Sequence, residues 1–232
     1  MKNISLLLLI LISVNIFAQK TNSNKPTIKD VFISLPDSAM HSSYFELSKQ
    51  KRKELWSLIE DRNWDKIYYS EGISFNGIDP KDNILKMTMV RLLDPMPICE
   101  IKIFNAGKNI NIGVTYSSYD GATTSSEKTI FYKYDNGKFE DITREIFKSF
   151  NYYTDNYTNN AIDSLNLYYK TNLRTTPRND YLIYKFTKSD TVIIAESFFG
   201  TEVGIELDTT YFDGEFYTKK YIMENGKLRL AE

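Results

Sequence analysis

The sequence predicts an α+β protein built as two tandem repeats, each with one or two helices packed on a four-stranded antiparallel meander. Three observations carry that expectation. Residues 109–116 and 202–209 alternate polar and apolar side chains with a period of two, the mark of a strand with one buried and one wet face. Asn136-Gly137 and Asn225-Gly226 interrupt such runs, and an Asn-Gly pair supplies the two positive-φ residues of a type I′ hairpin. The two halves also resemble each other. Cys99-Glu100-Ile101-Lys102-Ile103 aligns with Val192-Ile193-Ile194-Ala195-Glu196, and Asp120-Gly121 aligns with Asp213-Gly214. Between those points Ile110, Ile112 and Val114 fall on Val203, Ile205 and Leu207, so one structural unit is expected twice.

Taken in chain order, residues 1–18 read as a secretory signal peptide. Lys2 supplies a positive start, Ile4 to Phe17 form an apolar run broken by Ser13 and Asn15, and Ala18 precedes Gln19. The run is shorter than the roughly 20 apolar residues of a membrane span. No cysteine follows it directly, so lipid attachment is not supported. The mature chain is expected to begin near Gln19 and to be exported, periplasmic or extracellular, without stable membrane insertion and not as a lipoprotein. Residues 19–29 are polar and read as a flexible N-terminus.

The first repeat is expected over residues 30–140. Ser43 and Glu46 have the spacing of a capping box, in which the two side chains satisfy free amide donors at a helix start. Leu55, Leu58 and Ile59 then form an apolar stripe, although Lys49 to Lys53 is polar enough to break the segment. Strands are expected near 84–91, 98–104, 109–117 and 129–134. The second repeat, residues 141–232, opens with Asp141 capping a helix that carries Ile142, Ile146, Phe147 and Phe150. A second helix carries Ala161, Ile162, Leu165, Tyr168 and Tyr169. Strands are expected near 181–187, 191–199, 202–211 and 215–223, with a terminal pairing at 227–230.

Composition excludes several function classes. With 29 basic and 30 acidic residues there is no surplus of cations to neutralise phosphates, so no nucleic-acid partner is expected. One cysteine forms no internal disulfide, and one histidine does not build the usual zinc sets. Gly72, Gly77 and Gly107 lack the spacing and following helix of a phosphate-cradling loop, so no cofactor is expected. His41 stands beside Ser42 and Ser43 without a Gly-x-Ser-x-Gly elbow and reads as a solvated pre-helix residue. Cys99 lies on an apolar strand and reads as a small buried thiol. No catalytic or metal-binding residue is nominated.

The alternation suggests a surface. Burying Val203, Ile205 and Leu207 turns Glu202, Glu206 and Asp208 to the opposite face of their sheet, with Asn109, Asn111, Gly113 and Thr115 on the corresponding face of the first copy. Same-face carboxylates either hold calcium or form a hydrated outer face, and no Asp-x-Asp-x-Asp-Gly loop backs the calcium reading. An open face of this kind suits a partner that prefers an acidic surface. Tyr152, Tyr153 and Tyr157 lie in a polar stretch of Asn, Thr and Asp. Rings there either rim the face, binding sugar or a protein, or fold over the edge of the sheet.

Resemblances add to this reading. Asp30-Val31-Phe32-Ile33-Ser34-Leu35-Pro36-Asp37-Ser38, followed by Arg52-Lys53-Glu54-Leu55, resembles the opening of a family of exported Bacteroidales-type proteins known as a domain of unknown function. Helices followed by four strands, given twice, is similar to the tandem architecture of the β-lactamase inhibitory protein family, whose stapling cysteines this chain lacks. Asp37-Ser38-Ala39, Asp163-Ser164-Leu165, Asp190-Thr191-Val192 and Asp208-Thr209-Thr210 resemble the O-glycosylation acceptor pattern of exported Bacteroidetes-type proteins, which makes Ser38, Ser164, Thr191 and Thr209 candidate acceptors. The function expected is that of an exported, non-enzymatic binding or accessory protein that holds a protein or glycan partner on its open sheet face. A hydrolase acting on glycans or peptides is the alternative, and an inhibitor of a periplasmic enzyme is a narrower form of the first reading.

Overall fold

Strand pairing organises the chain into two antiparallel sheets. The structure is a computed structural model that describes residues 25–79, 81, 83–90, 96–105, 109–119, 124–177, 182–196 and 218–231. The first sheet is a six-stranded meander of β1 (Ile73–Asp79), β2 (Ile84–Met89), β3 (Met96–Phe104), β4 (Ile110–Tyr119), β5 (Thr124–Asp135) and β6 (Lys138–Asp141). The second has four strands in the order β10-β9-β8-β7, from β7 (Leu182–Phe186), β8 (Thr191–Glu196), β9 (Thr218–Glu224) and β10 (Lys227–Leu230). Helices α1 (Ile28–Ser34), α2 (Lys49–Glu60) and the single turn α3 (Trp64–Lys66) precede the first sheet. Helices α4 (Thr143–Lys148), α5 (Tyr152–Asn156) and α6 (Asn159–Tyr169) precede the second. No helix among the described residues is long and apolar enough to cross a membrane.

One face of the first sheet is apolar because its strands alternate in register. Ile101 pairs with Val114, Val114 with Ile130, and Ile103 with Ile112, so these side chains share a face. That face packs on Val31 and Phe32 of α1 and on Leu55 and Trp56 of α2. Ile112 and Val114 are fully buried and Ile110 packs at the margin, as the alternation predicts. The N-terminal segment is clasped by Arg52, whose guanidinium is buried and donates to the carbonyl oxygens of Leu47, Ile33 and Leu35 and to Asp37. Desolvation lowers the pKa of Arg52, and its hydrogen bond to Asp37 works in the opposite direction.

Leu182, Tyr184, Phe186, Val192, Ile194, Tyr221, Met223 and Leu228 form the apolar face of the second sheet, under Ile146, Ile162 and Leu165 of the helices before it and Phe150 between α4 and α5. The same cluster takes in Phe104 and Phe131 from the first sheet. Phe186 meets both rings edge-on, at centroid distances of 5.4 and 6.2 Å. Strand β7 therefore lies across β3, β4 and β5, on the face of the first sheet turned away from α1 and α2.

The sequence expectation and the fold differ in definite places. The first sheet has two strands more than the four expected. Ile73–Asp79 is broken by a register shift at Asn76 that obscures its alternation. Lys138–Asp141 is short and largely exposed. Helix α2 starts at Lys49 under a Ser48 cap, because Phe45 and Leu47 are drawn into the core as an extended turn and Ser42 Oγ accepts from the amides of Tyr44 and Phe45. Ser43 and Glu46 are thus not a capping box; Thr27 and Asp30 form one at α1. Both Asn-Gly hairpins are present, with positive φ at Asn136, Gly137, Asn225 and Gly226. The units match in order and in that hairpin, but β8 pairs directly with β9, whereas β3 and β5 flank β4. Residues 202–211 lie outside the described residues.

Candidate functional site

Between α2 and β1 the backbone leaves regular geometry three times in eleven residues. Arg62 has a left-handed φ of 53°, residues Ile67–Glu71 form a π-helical turn, and Gly72 closes it with a φ of 67°. π-Turns are uncommon and recur at functional sites. This one is held firmly. Asn63 Oδ1 accepts from the Lys66 amide at 3.3 Å, and Ile67 is buried in the core. Glu71 pairs with Lys51 of α2, and the Gly72 carbonyl accepts from the Val90 amide at 2.8 Å. Only a residue tolerant of positive φ fits at Gly72, where the chain turns into β1.

The anchored turn presents three aromatic rings to solvent. Trp64 is 46% exposed, Tyr68 48% and Tyr69 76%. Tyr68 and Tyr69 stand edge to face, with centroids 5.1 Å apart and planes at 79°. With Asp65, Ile67, Ile73, Ser74 and Phe75 they line a cleft of about 420 Å³. Other exposed large apolar side chains, Met96, Leu167, Ile222 and Leu230, are scattered over β3, α6, β9 and β10. Scattered residues need no explanation, whereas a contiguous exposed ring cluster on a rigid segment marks a contact surface. A larger and shallower depression of about 690 Å³ is lined by Asp141, Arg144, Glu145, Phe147 and Lys148 with Thr175, Thr176 and Pro177. It mixes both charge signs around one ring and has no comparable feature.

No protein family matches the chain, and no curated protein matches it. Among solved structures it is similar to a domain of an uncharacterized protein from Porphyromonas gingivalis W83, with a TM-score of 0.47 and 12% identity over 88% of this chain and 97% of that one.

The structure separates the residues that the sequence nominated. Tyr152 and Tyr153 do not rim a surface: both are fully buried in α5, at 5.7 Å from each other, within the core of the second unit. Tyr157 is half-buried and stacks on Tyr153 at 6.2 Å. The short helix α5, capped by Asn151, turns these rings inward where the polar composition suggested a linker. The face of the first sheet expected to be open is closed. Asn111 and Thr115 are buried, and a Cβ at Gly113 would stand 2.5 Å from Phe186 Cζ. Glu202, Glu206, Asp208 and Thr209 lie outside the described residues. Of the candidate acceptors, Ser38 is exposed in the 3-10 turn Asp37–Met40 and Thr191 is half-exposed at the start of β8. Ser164 is exposed on α6 with its hydroxyl donating to the Asn160 carbonyl at 3.2 Å.

His41 is exposed and bridges Glu46 in a short turn. Cys99 is fully buried, and burial pushes its thiol well above the ordinary range. Among the described residues no group of three His, Cys, Asp or Glu is placed to hold a metal ion. The ring cluster is not among the residues that the sequence nominates. Its signal was there: Trp64, Tyr68 and Tyr69 fall at one helical turn's spacing amid Asp61, Asn63, Asp65 and Lys66, just before a glycine.

Proposed function

We propose that this chain is an exported, non-enzymatic binding protein whose ligand docks in the cleft formed by Trp64, Tyr68 and Tyr69. The observation that carries the reading is the exposure of three rings on a segment fixed at both ends. Large rigid side chains lose little entropy on contact, and a preorganised segment spares the cost of ordering a loop. Export is supported by Lys2, the apolar run Ile4 to Phe17 and Ala18 in the sequence.

Binding is favoured over hydrolysis by the lining. Asp65 is the one carboxylate among the described lining residues, whereas glycoside hydrolysis ordinarily takes two facing carboxyl groups. The reading also moves the docking site away from the sheet face, since burial of Asn111 and Thr115 removes the support which that face drew from the first unit.

The test is capture from a cell-envelope fraction by the immobilised mature chain, compared with the Trp64→Ala/Tyr69→Ala double variant. Both rings are exposed, so the variant is expected to keep its thermal midpoint within a degree or two, in line with surface changes of under about 0.5 kcal/mol. Material retained by the natural chain and lost by the variant supports the reading. Equal retention by both contradicts it.

A further inference from the structure

Resting on that reading of the cleft, we infer that its ligand carries a quaternary ammonium group, held by the rings of Trp64, Tyr68 and Tyr69 and by the Asp65 carboxylate. The first ground is charge. Asp65 is the one charged residue among the described lining residues. Lys66, next in the chain, lies outside the lining, and Lys51 of α2 is paired with Glu71. The negative faces of the aromatic rings add to that carboxylate, so the cleft favours a cation over a neutral or anionic ligand. The second ground is ring geometry. Tyr68 and Tyr69, with planes at 79° and centroids 5.1 Å apart, do not stack together on one flat ligand. They form a corner, where a rounded cation touches both rings, whereas a planar guanidinium stacks on one.

The third ground is hydration. A primary ammonium is strongly hydrated and brings three N–H donors that need acceptors. Beyond Asp65 the lining is aromatic or aliphatic except for Ser74, whose hydroxyl donates to Asn76 Oδ1 at 2.8 Å. Ring faces do not replace three hydrogen bonds to water. A quaternary ammonium has no N–H to satisfy, so it exchanges water for ring faces and one carboxylate at little cost. The volume of about 420 Å³ also leaves room for the group that carries the cation, within the range of roughly 300 to 1,000 Å³ for small-ligand clefts. A soluble molecule and a lipid headgroup share this chemistry, and the arms of the test separate them.

The two tryptophans provide the readout. Trp56 is buried, with its indole N–H donating to Glu60 at 3.2 Å, while Trp64 is exposed, so quenching by acrylamide reports chiefly on Trp64. The mature chain is titrated at millimolar concentrations with choline, with the neutral isostere of choline in which carbon replaces nitrogen, and with arginine amide. Vesicles of phosphatidylcholine or of phosphatidylglycerol form separate arms. Choline is expected to reduce quenching of Trp64, the neutral isostere to bind about tenfold more weakly, and arginine amide to bind more weakly than choline. By calorimetry, Tyr69→Phe is expected to keep the binding, whereas Tyr69→Leu, apolar but without a π face, weakens it about tenfold. Asp65→Asn is expected to weaken it several-fold and to reduce its salt dependence. A response to phosphatidylcholine vesicles assigns a lipid headgroup as the carrier, and a response to free choline without one to those vesicles assigns a soluble carrier. The inference is overturned if neither choline nor phosphatidylcholine binds, if the neutral isostere binds equally, if arginine amide binds more tightly, or if Tyr69→Leu changes nothing. A response to phosphatidylglycerol vesicles alone also overturns it. If all these probes fail while ring-dependent capture from the envelope fraction persists, the ligand class is overturned and the binding reading stands.

Discussion

Glu100 of the first sheet accepts a hydrogen bond from the backbone amide of Phe186, on the first strand of the second sheet, at 3.0 Å. Its other oxygen pairs with Lys86 at 2.8 Å. The carboxylate is nearly buried, so it satisfies a β7 amide that has no water to turn to. Lys102, beside it on β3, donates to the Lys188 carbonyl at 2.8 Å. These contacts, with the Phe104, Phe131 and Phe186 rings, make the two units one packed body. Replacing Glu100 with alanine strands the Phe186 amide and is expected to destabilise the protein by about 1–3 kcal/mol in urea unfolding, with a single transition retained.

Gly113 makes the close approach of the sheets possible. An added methyl would meet Phe186 Cζ at 2.5 Å and Phe104 Cε2 at 3.0 Å, so these rings would have to shift. Gly113→Ala is therefore expected to cost about 1–3 kcal/mol by overpacking. An unchanged midpoint in thermal denaturation would show that the sheets do not meet there.

Arg52 ties the last turn of α1 and the segment after it to α2 through the carbonyls of Ile33, Leu35 and Leu47. Its charge partner Asp37 is well exposed, so little of the expected loss comes from the ion pair. Arg52→Ala is expected to destabilise by at least about 2 kcal/mol, because several buried carbonyls lose their donor together. Arg52→Lys is expected to recover little, since a point charge does not reproduce the guanidinium fork. Chemical denaturation of the two variants reads the difference.

Cys99 is buried against Tyr116, and its thiol is held in the unreactive protonated form by burial. The native protein is expected to react with a disulfide reagent only as fast as it unfolds, and to gain one reactive thiol in denaturant. Rapid reaction in buffer would place Cys99 at the surface.

How much was legible in the sequence follows from where local pattern and tertiary contact agree. Strands β2, β3, β4 and β10 and helix α6 were readable because their apolar side chains repeat at strand or helix period. The Asn-Gly hairpins were readable because two positive-φ residues in succession leave few alternatives. The inner face of Ile112 and Val114 followed from alternation alone. The outer face did not: Asn111, Gly113 and Thr115 have the composition of a wet surface, and only the contact with Phe186 covers them. Tyr152 and Tyr153 failed for the converse reason, since polar neighbours hid a short helix that turns both rings into the core. Trp64, Tyr68 and Tyr69 have helical spacing, but that spacing suits buried and exposed rings alike, and only the π-turn Ile67–Glu71 after α3 sets them toward solvent.

Hydroxyl-radical footprinting of the mature chain, with and without the envelope material it captures, tests directly where the ligand sits. Trp64, Tyr68 and Tyr69 are expected to lose reactivity on binding while the exposed Ile222, Leu230 and Leu167 keep theirs. Protection at Ile222 and Leu230 with no change at the three rings would contradict it and place the binding surface on the second sheet.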